Sequence, residues 1–562
     1  MSRRERPRGS ISLAAPPFRI EFLEFVGHDG NRDCRMIVDI MTLETGLAPV
    51  AMTEGSRTSD ALGSEAGDRR ESVAATLRAA RRHGATGLDE PASKQVVAAY
   101  GLRVPDGRVV ADAGAALAAF DALGPPVVVK LTGAGTHKSD LGGVRLNLQS
   151  AAAVREAFAV VSSAAIAHGL AGDRVLIERM SAPGHEVVLG GFLDPRFGPV
   201  LMLGTGGVFV ELLADAVFRI CPIDARDAAE MIEGLRSLPL LRGARGGIRI
   251  DEAALVDALL RIGGPRGLLV EQADHLAELD LNPVIANADG VTACDARIIL
   301  RPEPAATGNR RPDRDARDRC AALDWEPLFS PRSMAVIGAS GNAVTVANDF
   351  IRQSLALGYK GRIVPVHPSA ATIEGLPTAP SLAAAGEHFD YVYIAVSAAQ
   401  VPAIIRSAAG VARFAQVISS GFGEVSHGVG LERELAQACR ESGVRTLGPN
   451  CLGLYSPRGG LAFIGDCPPE SGPVGIISQS GGLAVDVILR GRTLGIRYSG
   501  LVTLGNSVDV GPADLLEYFL ADPRTRVIGV YVEDVKEGRR FFDALHEARA
   551  KKPGPEPEPA PL

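Results

Sequence analysis

No apolar run in the 562 residues approaches the ~18 that a membrane span requires, so nothing reads as a transmembrane helix. The seven cysteines, Cys34, Cys221, Cys294, Cys320, Cys439, Cys451 and Cys467, contain no Cys-x-x-Cys pair. That scatter argues against a disulfide framework and against a zinc site, and reduced thiols fit a cytosolic enzyme. Aromatic residues make up only 5%, and no basic stripe is interleaved with them. With a net charge of −7, the electrostatic footprint of a nucleic-acid binder is missing, and small molecules are the expected ligands. Residues 1–10 are rich in arginine, but prolines and charges break the stretch that follows, so no secretory signal forms and the expected address is the cytoplasm.

At ~100 to 200 residues per domain, a chain of this length holds three or four. Residues 1–85 have weak periodicity, with a polar stretch over 53–71 and a basic run over 78–83, and form an N-terminal segment without an assigned role. Residues 86–300 alternate helical and strand patterns and read as one α+β domain. A helix is expected over 93–100, before Gly101 and Pro105, and strands over 126–131, 175–180, 187–192, 200–203 and 277–284. Residues 301–325 are a linker, rich in Pro, Arg and Asp up to Arg319. Over 326–456 strands at 333–337, 363–366, 391–396 and 417–419 alternate with helical stretches, which predicts a parallel sheet. A further α/β unit, 457–552, has strands beginning at Pro473, over 499–504 and over 527–532. Three strands are only part of a doubly wound domain, so this domain is expected to be incomplete. The tail, 553–562, is too proline-rich to continue a helix or a sheet.

The first chemical cluster is Lys130 at the end of an apolar strand, followed by Gly133-Ala-Gly-Thr-His137-Lys-Ser-Asp and Gly142-Gly143. A strand-borne lysine reaches phosphate oxygens as a point charge, and glycine-rich backbone offers N–H groups to the same anion. Alone, the stretch reads equally well as a hairpin with a surface lysine. Further on stand Gly204-Thr-Gly-Gly207-Val-Phe-Val-Glu211, with Asp215, Arg219 and Pro222 following, and then Glu278-Leu-Asp280-Leu-Asn282-Pro283 with Asp295. Acid and amide oxygens on neighbouring strands converge readily on Mg²⁺, a hard cation that keeps contacts to phosphates. A second constellation, Ala335-Val-Ile-Gly338-Ala339-Ser340-Gly341, runs from a strand into a glycine turn before a helix, where unpaired N–H groups favour phosphate. It lacks a full Gly-x-Gly-x-x-Gly, and no acid over 363–368 is placed to hold a ribose, which disfavours an NAD dehydrogenase. Downstream come Val364-Pro365-Val-His-Pro368, Ser420-Gly-Phe-Gly-Glu424, Gly448-Pro-Asn450-Cys-Leu-Gly453, Ser478-Gln-Ser480-Gly481-Gly482, Gly505-Asn506 with Asp509, and Tyr531-Val-Glu533.

In this order the motifs resemble NDP-forming acyl-CoA synthetases, relatives of succinyl-CoA synthetase, over about residues 88–552. The resemblance implies an α/β multidomain fold: an ATP-grasp domain, a Rossmann-like CoA-binding domain and a partial flavodoxin-like domain of the succinyl-CoA-synthetase type. It implies an ATP-dependent acid–thiol ligase that forms acyl-CoA, ADP and phosphate through acyl phosphate and phosphohistidine, with acetate as the family default. Carried over by residue, it gives ATP contacts to Lys130, Glu178, Glu186, Gly206 and Gly207, and Mg²⁺ to Asn282 and Asp295. CoA falls to Gly338, Ala339, Ser340, Gly341, Pro365 and Asn450. Ser478, Ser480 and Gly481 open a helix toward the phosphorylated loop, Glu533 orients that loop's histidine, and His137 matches a second histidine near ATP. Asp280 stands where the family has Glu. In the family a Ser-His-Thr-Gly-like loop and a last small domain follow Glu533, so a C-terminally truncated member is expected. The alternatives are completion by a second polypeptide and a non-catalytic protein that binds ATP and CoA. A carboxylic acid substrate and an oligomeric state are the remaining implications. His427 and His546 receive no catalytic role.

Overall fold

The computed structural model describes residues 37–42, 59–132, 143–167, 174–206, 215–302 and 323–550, and of 37–42, 59–66, 245 and 549–550 the backbone alone. The chain divides into two compact units, residues 52–309 and residues 1–51 with 310–562.

The described chain opens with strand β1 (Ile37–Thr42) and helix α1 (Ser59–Arg82). The sequence pattern does not reveal α1, because its charged positions dilute the apolar stripe, yet Val73 and Leu77 are buried in the core of the 52–309 unit. Helix α2 (Glu90–Ala99) starts where Asp89 caps it, the carboxylate accepting the Ala92 N–H at 3.0 Å, with a proline in the first turn. Strands β2 (Gly107–Val110), β3 (Val127–Leu131), β4 (Val144–Leu148) and β5 (Val175–Arg179) form an antiparallel sheet in the order β2-β5-β3-β4. Helices α3 (Ala113–Leu123) and α4 (Ala151–Ala167) cover it, and Phe120, Val154 and Val161 pack against Val127, Val129 and Ile177.

A second antiparallel sheet contains β6 (His185–Asp194), β7 (Gly198–Thr205), β8 (Ala216–Ile220), β9 (Leu276–Asn287), β10 (Gly290–Ala293) and β11 (Arg297–Leu300). Its order is β10-β9-β6-β7-β8, and β11 also pairs with β9. Along β9, Leu279 and Leu281 enter the core while Asp280 and Asn282 face away from it, the period-two alternation of a half-buried strand, which shifts by one position at an irregularity before Val284 and Ala286.

The 310–562 part of the other unit holds two sheets. Strands β12 (Ser333–Ile337), β13 (Arg362–Val366), β16 (Phe389–Ile394), β17 (Ala412–Val417) and β18 (Arg445–Leu447) are all parallel, in the order β13-β12-β16-β17-β18, and the small hairpin β14 (Thr372–Ile373) and β15 (Leu376–Pro377) stands apart. The expected parallel sheet is therefore present. Its fourth strand differs from the expected 417–419: it lies upstream and ends at Val417, because Phe414, Ala415 and Val417 supply the buried positions. Strand β19 (Leu454–Tyr455), β20 (Ser471–Ser478), β21 (Tyr498–Thr503) and β22 (Val527–Val532) build the last sheet, in which β21, β20 and β22 are parallel and β1 pairs antiparallel with β22. Helices α5 (Pro512–Ala521) and α6 (Gly538–Ala550) pack on one another beside it. Among the described residues no helix is long and apolar enough to cross a membrane.

Candidate functional site

In the 52–309 unit the four-stranded sheet presents Lys130 and Glu178, both buried, on the neighbouring strands β3 and β5. The Lys130 ammonium does not lie on the surface. It donates to Glu90 at 3.1 Å and to the Cys294 carbonyl at 2.6 Å, and pairs with Glu178 Oε2 at 3.0 Å. Lys94, also buried, completes the group, 2.7 Å from Glu90 and 2.5 Å from Glu178 Oε1. Burial alone would lower the Lys130 pKa, but the carboxylates of Glu90, Glu178 and Asp295 outweigh it and hold the ammonium above the usual lysine range.

The Lys130 bond to Cys294 spans from the four-stranded sheet to the connection between β10 and β11, where Asp295 sits rather than on a strand. The Cys294 N–H donates to the Pro283 carbonyl at 3.0 Å, which sets Asp295 beside Asn282 and its cis bond to Pro283. The six-stranded sheet adds Glu186 and Gly206, joined by the Gly206 N–H donating to the Glu186 carbonyl at 2.7 Å. A side chain at Gly206 would press within 2.9 Å of the Glu186 backbone, so a residue without Cβ is needed at this crossing. Lys130, Glu178, Glu186, Gly206, Asn282 and Asp295 therefore lie on or beside the strands of two antiparallel sheets of one unit, linked by the Lys130 bond to the Cys294 carbonyl. His137 and Gly207 lie outside the described residues.

In the other unit, four predicted CoA residues form the exit of β12. Gly338 has φ +103°, and a Cβ there would stand 2.1 Å from the Ala395 carbonyl oxygen at the end of the adjacent strand. The following helix α7 (Val346–Leu357) begins later than the motif implies: Thr345 caps it, and residues 338–344 form a loop ahead of it. Asn348 holds that loop, its Oδ1 accepting the Ser340 N–H and its Nδ2 donating to the Ser340 carbonyl, both at 2.9 Å. The same Nδ2 donates to Glu374 at 2.7 Å, and Glu374 sits in the tight hairpin turn between β14 and β15. Pro365 lies opposite Val336 on β13, an edge strand, where the missing N–H breaks no interior ladder. Asn450 follows the cis bond between Gly448 and Pro449, is left-handed at φ 58°, and donates its N–H to the Ser419 carbonyl at 2.9 Å.

The two parallel sheets meet through the segment 505–508. Its Asn506 N–H donates to the Pro449 carbonyl at 3.0 Å, and the Asn506 side chain donates to Glu424 at 2.6 Å and to Glu432 at 2.8 Å. Ser478 ends β20 and is buried, Ser480 caps helix α8 (Gly481–Leu494) by accepting the Leu483 N–H at 3.2 Å, and Gly481 packs on Leu452. Gln479 connects this helix start to Glu533. Its Oε1 accepts the backbone N–H groups of Glu533 and of Asp534, the latter at 2.8 Å. Its Nε2 donates to the Asp534 carbonyl at 2.8 Å and to Ser507 at 3.2 Å. Glu533 is exposed and accepts the Tyr531 hydroxyl at 3.1 Å.

Residues 79–300 match the family described as ATP-grasp domain, 332–457 the CoA binding domain, and 471–553 the succinyl-CoA ligase like flavodoxin domain. The chain is 38% identical over 216 residues to subunit beta of the ADP-forming acetate-CoA ligase I of Pyrococcus furiosus, covering 38% of this chain and 91% of that subunit. It belongs to the ADP-forming acetate-CoA ligase family. Over 470 residues it is also 34% identical to the ADP-forming acetate-CoA ligase II of Archaeoglobus fulgidus, which is 82% of this chain and 66% of that protein. Subunit alpha of the Pyrococcus ligase I is 37% identical over 241 residues, 41% of this chain and 52% of that subunit. The chain thus spans about two thirds of the single-chain relative, and in Pyrococcus the matching regions belong to separate subunits.

Three residues that brace the candidate sites escape a motif reading. Lys94 carries a signal, an acid four positions earlier on one helix. Asn348 carries another, since Thr345-x-x-Asn348 is a capping box. Gln479 lies inside a quoted motif, but its partners come from distant loops and leave no local trace.

Proposed function

We propose that the chain is an ATP-dependent acid–thiol ligase that joins a small carboxylic acid to CoA and releases ADP and phosphate. The carrying observation is the order of an ATP-grasp match, a CoA-binding match and a ligase-type flavodoxin match along one chain that aligns over 470 residues with a ligase. ATP lies along these two sheets, its phosphates met by Lys130 and by the backbone of Gly206 and Gly207, with Glu178 and Glu186 on the adjoining strands. Asn282 and Asp295 offer the hard oxygen donors that suit Mg²⁺. Bound there, Mg²⁺ would screen the phosphate charge.

CoA lies at the carboxyl ends of β12, β13 and β16, the position where parallel sheets receive phosphorylated ligands. Gly338, Ala339, Ser340 and Gly341 present backbone to its diphosphate, and Pro365 and Asn450 border it. The phosphoryl group passes from ATP to a histidine, releasing ADP, and from histidine to the acid's carboxylate, giving an acyl phosphate. The CoA sulfur then attacks the acyl carbon, phosphate leaves, and the thiol proton goes to solvent. His137 is the acceptor on the ATP side. Ser478, Ser480 and Gly481 offer a helix N-terminus to the phosphoryl group, and Glu533, held beside that helix by Gln479, would orient the histidine of the family's Ser-His-Thr-Gly-like loop, a different residue from His137.

The separate subunits in Pyrococcus favour one further reading, in which the chain binds both nucleotides and turns over only with a second polypeptide. The test is ADP formation from Mg-ATP by the full chain across a panel of short carboxylic acids, with and without CoA. Beyond the single equivalent released when the histidine is phosphorylated, sustained ADP formation that requires both acid and CoA is expected. Binding of ATP and CoA without release supports the partner-dependent reading, and binding of neither refutes both.

A further inference from the structure

Lys130 has three N–H groups, and the structure accounts for all of them: Glu90, Glu178 and the Cys294 carbonyl. A phosphate oxygen can enter only if one of these partners is given up. That exchange would expose two buried carboxylates, 2% accessible each, to a loss of countercharge just as an anion arrives. In a buried setting an uncompensated charge is strongly unfavourable. Lys94 lies closer to both carboxylates than Lys130 does, at 2.7 Å against 3.1 Å for Glu90 and at 2.5 Å against 3.0 Å for Glu178. It also takes the Glu178 oxygen that Lys130 does not, so the two ammonium groups divide one carboxylate between them.

We propose that Lys94 is a positioning residue for nucleotide binding: it holds Glu90 and Glu178 compensated, so that Lys130 is released to a phosphate. This rests on the reading of Lys130 as a phosphate ligand. Lys94 itself need not touch the nucleotide. Without it, of the two lysines that pair with both acids only Lys130 is left, and it is retained by them. Glu90 is then the group whose neutralisation restores the balance, because its Oε1 is shared by both lysines.

The experiment is calorimetric titration of the full chain with Mg-ATP, with folding followed by circular dichroism. In the wild type, absence of binding refutes the nucleotide site itself and overturns the role of Lys94 with it. Given wild-type binding, Lys94→Met is expected to weaken Mg-ATP by about tenfold or more, and Lys94→Met with Glu90→Gln to return to within about threefold of wild type. A purely structural lysine predicts no such rescue. Wild-type affinity in folded Lys94→Met, or a double variant as weak as the single one, overturns the proposal. Should Lys94→Met not fold, Glu90→Gln alone decides: it leaves Lys130 less firmly held and is expected to bind Mg-ATP at least as tightly as wild type, and a loss beyond about threefold overturns the proposal.

Discussion

Arg540→Met removes the cation at the centre of a buried acidic group. Arg540 is 4% exposed and pairs with Asp514 at 2.8 Å, Glu517 at 2.7 Å and Glu537 at 3.0 Å. Deleting one partner of a buried ion pair costs about 3 to 5 kcal/mol, chiefly through the charge left behind. Here the acids differ in how they would respond. The Glu537 and Glu517 side chains are 38% and 19% accessible and can turn toward water, whereas that of Asp514 is 3% accessible and cannot. Asp514 nonetheless keeps Arg445 at 2.9 Å and the Gly511 N–H at 3.0 Å. The loss therefore falls at the lower end, about 3 kcal/mol, and methionine preserves part of the stem packing. Burial alone would raise the Asp514 pKa, but Arg445 and Arg540 outweigh it and hold the carboxyl below its ordinary value. A depressed carboxyl stabilises the fold above its unfolded pKa of about 3.9 and ceases to do so as the pH falls through the folded value. The deficit of the variant is therefore largest near neutrality and shrinks below about pH 4. Because a chain of several domains does not unfold in two states, the assay is amide hydrogen exchange of helices α5 and α6. A deficit under about 1 kcal/mol at pH 7, or one that grows as the pH falls, would refute the reasoning.

Gly338→Ala combines a left-handed backbone with a Cβ 2.1 Å from the Ala395 carbonyl, so calorimetry is expected to show CoA affinity down by at least about tenfold, with a lower melting temperature; wild-type values in both would place the cofactor elsewhere. Glu533→Gln keeps size and backbone contacts, so steady-state kinetics should show kcat reduced by about 10 to 100-fold with CoA affinity unchanged, and an unaltered kcat would remove Glu533 from the relay.

The parallel strands were the most legible part of the fold, since short apolar runs such as 333–337 and 527–532 coincide with β12 and β22. Their signal is local: a strand buried on both faces leaves a continuous apolar stretch bounded by turn residues. The glycine at 338 was legible for the same reason. Helix α1 was not, because only a few of its positions, Val73 and Leu77 among them, meet the core and its other faces are polar. The environment of Lys130 was hidden altogether. Sequence shows a lysine at a strand end, while Glu90, Glu178 and the Cys294 carbonyl come from 40, 48 and 164 positions away. Glycine-rich loops announce backbone that approaches a ligand, but the spacing Thr345-x-x-Asn348 announces only a helix cap and not the hold of Asn348 on Ser340 and Glu374, and the partners of Gln479 leave no spacing at all.

Gln479 binds two backbone N–H groups with its oxygen and two acceptors with its nitrogen. Only a carboxamide carries both capacities at one tip. Chemical ageing by deamidation would keep the side chain's shape and its acceptor half, and would replace the donor half with an anion facing the Asp534 carbonyl. The loop bearing Glu533 would then lose the amide's bond to the Asp534 carbonyl without any change in the bulk of the residue, leaving Lys536, which donates to the Asn506 carbonyl at 2.9 Å, as its tie to the 505–508 segment, so an aged preparation would carry a loosened site inside an intact fold.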